Sequence, residues 1–119
     1  MRVGKTVLIV DDHSGFRTCA RELLECEGFE VVGEADDAAS AVRAVRELRP
    51  DIVLLDIQLP DVDGVEVARE IGAENGHAEI VLTSSRDVSY LAGALAECPA
   101  RGFISKSELS GAALRNLIA

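Results

Sequence analysis

The chain has 119 residues and 48% apolar content, enough for one compact domain with a real core, residues 1–119, and no length for a second module. A net charge of −9, with Lys and Arg scattered along the chain, would repel a phosphate backbone, so no nucleic acid is expected to bind this segment. No basic stretch leads into a long apolar one, and no apolar run comes near the roughly 18 residues of a membrane span, so no membrane is expected and the cytoplasm is the default location.

Two periodicities alternate from the N-terminus onward. Residues 6–10, 29–33, 51–55, 79–83 and 101–105 are mostly continuous apolar runs of strand length, as in strands buried on both faces. Helical spacing follows each run. It places Phe16, Ala20, Leu23 and Leu24 on one face, then Ala38, Ala41, Val42, Val45 and Leu48, then Val67, Ala68 and Ile71. The fourth and fifth helices follow on Val88, Leu91, Ala92 and Leu95, and on Leu109, Ala113 and Leu117. Gly28 closes the first helix, Pro50 follows the second, and Gly72, Asn75 and Gly76 mark a loop before the fourth strand. Ser107 stands where the last helix needs an N-cap. Cys19, Cys26 and Cys98, an odd set without a CxxC, read as buried free thiols.

Strict βα alternation predicts an α/β fold, a single five-stranded parallel sheet with right-handed crossovers and five helices covering both faces. Ligands of such sheets collect at the carboxyl ends of the strands. Five polar residues stand there: Asp11 and Asp12 after VLIV, Asp56 after DIVLL, Thr83 after EIVL, and Lys106 after GFIS. The first and third strands must be neighbours for the acids to meet, which the order 2-1-3-4-5, taken from the known repertoire of such sheets, provides. Singly, each residue has a plain structural reading. The Asp pair could cap a helix, Asp56 could sit in a turn, Thr83 could bond backbone, Lys106 could be a solvated charge, and Phe103 could be static core. His13 and His77 read as surface residues. Their joint occurrence at one sheet edge is what favours a site for the acids, the hydroxyl and the lysine.

VDD near the start, DIQLPDVDG in the middle, LTS one βα unit later and GFISK near the end together resemble the receiver domain of two-component response regulators, over essentially the whole chain. The resemblance implies the flavodoxin-like (βα)5 receiver fold. It implies that Asp56 is the phosphoacceptor and that Asp56 and Asp12 bind Mg²⁺ directly. Asp11 would hold the ion through water, and the backbone carbonyl of Gln58 would complete the protein ligands. Charge alone agrees, since carboxylates about 4 Å apart repel by roughly 4 kcal/mol per pair at an effective dielectric near 20 and call for a cation. Oxygen ligands and bound waters suit Mg²⁺. By the same resemblance Lys106 supports a phosphoryl oxygen, Thr83 moves to bond the phosphoryl group, and Phe103 repacks with it. The readout would lie on the fourth helix, fifth strand and fifth helix, with Tyr90, Phe103, Ser105 and Ser107. Pro60, Asp63 and Gly64 would shape the loop after Asp56, Gly64 through its backbone freedom.

A receiver is not an enzyme acting on other molecules; it catalyses only its own phosphorylation and dephosphorylation. Its partners would be a sensor histidine kinase or phosphotransfer protein, and a second copy, through the fourth helix, fifth strand and fifth helix or through the first and fifth helices. Lys-Ser-Glu-Leu from Lys106, where many receivers carry proline after the lysine, is closer to receivers attached to LuxR-type helix-turn-helix domains, so control of transcription is the expected output. A stand-alone receiver, acting by protein contact or in a phosphorelay, is the alternative. An FMN binder would need a phosphate-cradling loop where DDHSG stands, and a haloacid-dehalogenase-type phosphatase would need an Asp where Gln58 stands. The complete set of acids, hydroxyl and lysine argues against a degenerate receiver.

Overall fold

The computed structural model describes residues 5–62, 64–74, 78–85 and 99–118. The expected fourth helix lies outside them, as do Asp63, Asn75, Gly76, His77, Tyr90 and Cys98. The strands are β1 (Thr6–Val10), β2 (Glu30–Ala35), β3 (Ile52–Asp56), β4 (Glu79–Ser84) and β5 (Ala100–Ser105). All pairings are parallel, in the order β2-β1-β3-β4-β5. Helices α1 (Ser14–Cys26), α2 (Ala38–Leu48) and α3 (Gly64–Glu74) and a C-terminal helix (Gly111–Ile118) complete the described elements.

The burial of each strand follows from its place in the sheet. β3 is buried at every residue, and β1 and β4 at all but their first, because helices cover both faces of the sheet centre. The edge strands β2 and β5 carry mixed burial. On one face Leu8, Val10, Val53 and Leu55 pack against Ala41 and Val45 of α2 and Val67, Ala68 and Ile71 of α3. On the other, Val7, Ile9, Ile52 and Leu54 pack against Ala20 and Leu24 of α1 and Leu114 of the C-terminal helix. This aliphatic double layer fixes the strand ends, and so the site.

Local chemistry sets the helix limits. The Asp37 carboxylate accepts the Ser40 N–H at 2.8 Å and caps α2, which ends at Arg49 in the left-handed region (φ 47°), just before Pro50. Gly28 takes φ 96° beyond α1, where a side chain would be strained.

Three expectations need correction. Residues Lys106–Glu108 form a 3-10 turn, and Ser110 caps the last helix instead of Ser107, its hydroxyl accepting the Ala113 N–H at 3.0 Å. Cys19 and Cys26 are exposed free thiols, because α1 buries the Ala20–Leu24 stripe and both cysteines fall off it. Leu48, at the end of α2, lies over Gly33 of the edge strand β2 and is 45% exposed.

Candidate functional site

The site grows from three adjacent strand ends. Val10 pairs with Leu55, and Asp11 prolongs β1 by one residue, its N–H donating to Ala35 O at 3.0 Å, so Asp11 comes to lie beside Asp56, the last residue of β3. Asp56 pairs in turn with Thr83 of β4. Paired residues of parallel strands share a face, so the Thr83 hydroxyl leaves the sheet beside the Asp56 carboxylate. Asp11, Asp56 and Thr83 are 0%, 2% and 1% exposed. Burying two carboxylates side by side is costly without partners.

The partners are few. Lys106, the first residue after β5, reaches back so that Nζ lies 3.3 Å from Asp56 Oδ2 and 2.6 Å from Asp11 Oδ2, the latter a close ion contact without hydrogen-bond geometry. The Phe16 ring of α1 lies beside this ammonium, its centroid 4.6 Å from Nζ, an added attraction for the cation. Asp56 Oδ1 accepts the Gln58 N–H at 3.0 Å, and Asp11 Oδ1 accepts the His13 N–H at 2.8 Å. Arg17 donates to the Asp11 carbonyl at 2.6 Å and to Glu34 Oε1 at 2.9 Å, tying the strand end to α1 and β2.

Burial pushes the Asp56 carboxyl above its ordinary value of 3.8, with the Asp11 charge acting in the same direction, and the Gln58 N–H and Lys106 pull only partly against it. Among the described residues, the buried Asp11 Oδ2 and Thr83 Oγ1 atoms find no hydrogen-bond partner. One ligand atom from each of Asp11, Asp12, His13 and Asp56 lies within 4.8 Å of the others, a cluster that could hold a metal. At that separation each carboxylate pair repels by about 3 kcal/mol at an effective dielectric near 20. The single lysine leaves two negative charges uncompensated among the three acids, so the donor set fits a hard divalent cation.

The structure brings together the acids, Thr83, Lys106 and Gln58, which is half-buried two residues beyond Asp56. Phe103 stands apart from them. It pairs with Leu82 and packs, half-buried, with the α2/α3-side core, on the opposite sheet face from Thr83 and Ile104. His13, read from sequence as a surface residue and indeed exposed, Phe16, read as part of the α1 stripe, and Arg17 also reach the site. They are the side chains that the first turn of α1 returns to the strand end at helical spacing, a signal available only once the helix start is known. Gly64 has a different reason from the one expected. Its N–H donates to Ile57 O at 2.7 Å, and a Cβ there would overlap the Ile57 backbone, so close approach demands glycine.

The parallel sheet in the order 2-1-3-4-5 carries a buried aspartate, flanking acids and a lysine at its carboxyl edge, the arrangement the resemblance implies for a receiver-type α/β domain. The family model of the Response regulator receiver domain matches residues 7–119, and the chain belongs to that family. Chemotaxis protein CheY of Thermotoga maritima is 35% identical over 104 residues, 87% of this chain and 87% of CheY. Response regulator GacA of Pseudomonas aeruginosa is 33% identical over 113 residues, 94% of this chain and 51% of GacA. The chain spans about half the length of GacA and of the virulence factors putative positive transcription regulator BvgA of Bordetella pertussis, the latter 36% identical over 102 residues. Among solved structures, a LuxR-family two-component response regulator from Aurantimonas sp. SI85-9A1 superposes with a TM-score of 0.86 at 37% identity, covering 98% of this chain and 83% of that one.

Proposed function

We propose that this receiver takes a phosphoryl group onto Asp56 from the phosphohistidine of a sensor kinase or phosphotransfer protein, and that the phosphorylated form controls transcription through a LuxR-type DNA-binding domain. A carboxylate oxygen of Asp56 attacks phosphorus, the P–N bond breaks with its electron pair returning to the imidazole, and an acyl phosphate remains on Asp56. Lys106, within 3.3 Å of the Asp56 carboxylate, receives a phosphoryl oxygen. Thr83, whose hydroxyl shares the sheet face of Asp56, donates to another. Asp11, Asp12, Asp56 and the Gln58 carbonyl would hold Mg²⁺, which when bound neutralises charge on the acids and on the incoming phosphoryl group.

Movement of Thr83 toward the phosphate shifts the strand that carries Leu82, and so the packing of its partner Phe103 on the far face. A differential contact of this kind is what a two-state switch requires. One observation carries the reading: a buried aspartate held in a charge-deficient pocket beside one lysine and an unbonded hydroxyl. The test is to supply a small phosphodonor with Mg²⁺ and map the modified residue by mass spectrometry. Label on Asp56, absent in Asp56→Asn, is expected; an unchanged label in that variant rejects the assignment.

The transcriptional output rests on likeness to the transcription regulator BvgA and the LuxR-family structure. The alternative, a stand-alone receiver acting by protein contact or in a phosphorelay, is supported by the match to CheY, which covers 87% of each chain. The gene sequence beyond the codon for Ala119 separates them.

A further inference from the structure

We propose that His13 is an additional ligand of the cation in this pocket, giving the site a preference for first-row transition ions over Mg²⁺; this rests on the reading of the acids as a cation site. His13 occupies the N-cap of α1, yet its side chain makes no capping hydrogen bond. Instead the ring turns back to the acids, with Nδ1 3.1 Å from Asp11 Oδ1 and 3.0 Å from Asp12 Oδ1. Adjacent vertices of an octahedron with bonds near 2.1 Å are about 3.0 Å apart, so Nδ1 is spaced from each of the two oxygens as a neighbouring ligand of one ion would be, with Asp11 then binding directly and not through water. The same pocket holds two buried oxygens, Asp11 Oδ2 and Thr83 Oγ1, that take part in no hydrogen bond.

The neutral imidazole carries a lone pair on one nitrogen, and ligation through Nδ1 leaves the proton on Nε2. The His13 side chain is 68% exposed, so the ring closes one side of the pocket from the surface without filling it. Carboxylates and water suit Mg²⁺, whereas an imidazole adds affinity for iron, nickel, copper and zinc, and a mixed set therefore discriminates between the two classes. The ligands the resemblance implies are all oxygen; His13 would add a nitrogen.

Mn²⁺ is the probe, because it is paramagnetic and accepts both oxygen and nitrogen. Pulsed EPR of Mn²⁺ bound to the 119-residue chain should show nitrogen coupling from a directly bound imidazole. The sequence has two histidines, so the signal should persist in His77→Asn and vanish in His13→Ala. Calorimetric titration should show His13→Ala binding Mn²⁺ roughly tenfold or more weakly, since even outer-sphere partners of a ligand are worth 10- to 100-fold. Mg²⁺ affinity should fall by less than Mn²⁺ affinity in the same variant, and circular dichroism checks that it remains folded. Bound Mn²⁺ with no nitrogen coupling in the wild type, or equal Mn²⁺ affinity in His13→Ala, overturns the proposal while leaving the cation site standing. Failure of the wild type to bind either ion overturns both.

Discussion

β1 and β3 meet twice, and the two meetings are built on opposite lines. At the amino end the Asp51 carboxylate accepts from the Thr6 N–H at 2.9 Å and the Thr6 hydroxyl at 3.1 Å, and the Asp51 N–H returns a bond to that hydroxyl at 2.9 Å. At the carboxyl end Asp11 and Asp56 face each other with one lysine between them. The first end is a clasp in which a carboxylate is matched by local donors; the second crowds like charges and leaves polar atoms unbonded. Polar groups at the rim of the same two strands therefore stabilise the fold at one end and tax it at the other, and the taxed end is the one suited to bind.

The contrast can be broken from either side. The largest effect is expected in phosphorylation. Lys106→Ala or Asp12→Ala should slow labelling of Asp56 by about 10²- to 10³-fold, the scale of losing one preorganised electrostatic group, with the fold intact by circular dichroism. Wild-type rates in both would mean the pocket is misread. Next comes stability. Asp51→Ala should destabilise the domain by about 1–3 kcal/mol, the scale of losing hydrogen bonds to a charged group, measured by urea melts. Asp56→Asn should do the reverse in metal-free buffer near neutral pH, and each kcal/mol of relieved repulsion is worth roughly 4 °C in a chain of this size.

The smallest effects are in the pH profile, where the signs differ. Asp56 has its folded-state pKa raised above 3.8, so the folded form holds its proton more tightly than the unfolded chain. Stability should fall as pH rises from 3.8 through the raised value and level off above it, a limb missing in Asp56→Asn. Glu34, bonded by Arg21 and Arg17, is lowered below 4.5. Its contribution is complete above that ordinary value and fades as pH drops through the lowered one, and Glu34→Gln should remove this acid-side loss. Thermal melts across the acid range of each variant measure both limbs.

The strand ends were readable in the sequence because apolar runs there stop abruptly at polar residues, and the five pocket residues all sit at such stops. Requiring the acids to meet made the first and third strands neighbours, while the full order came from the known repertoire of such sheets. Helix phase was much less legible. Whether Cys19 and Cys26 face in or out depends on which stripe of α1 meets the sheet, and Ala20 with Leu24 won that contact. Ser107 lost the cap because Lys106 must first turn back toward Asp56, which uses residues 106–108 and delays the helix to Gly111. His13 reads from sequence as a surface residue, Phe16 as part of the α1 stripe and Arg17 carries no signal, since their reach to the strand end is a property of the turn that joins β1 to α1.

The tight seat of Gly64 makes the loop after Asp56 a mechanical link. The Gly64 N–H is bonded to Ile57 O, and the space a side chain would need is already filled by the Asp56 carbonyl and the Ile57 backbone. No slack separates the Asp56 and Ile57 main chain from the first residue of α3. A displacement of one is carried to the other as through a rigid coupling, and any residue with a Cβ at position 64 would wedge the joint open.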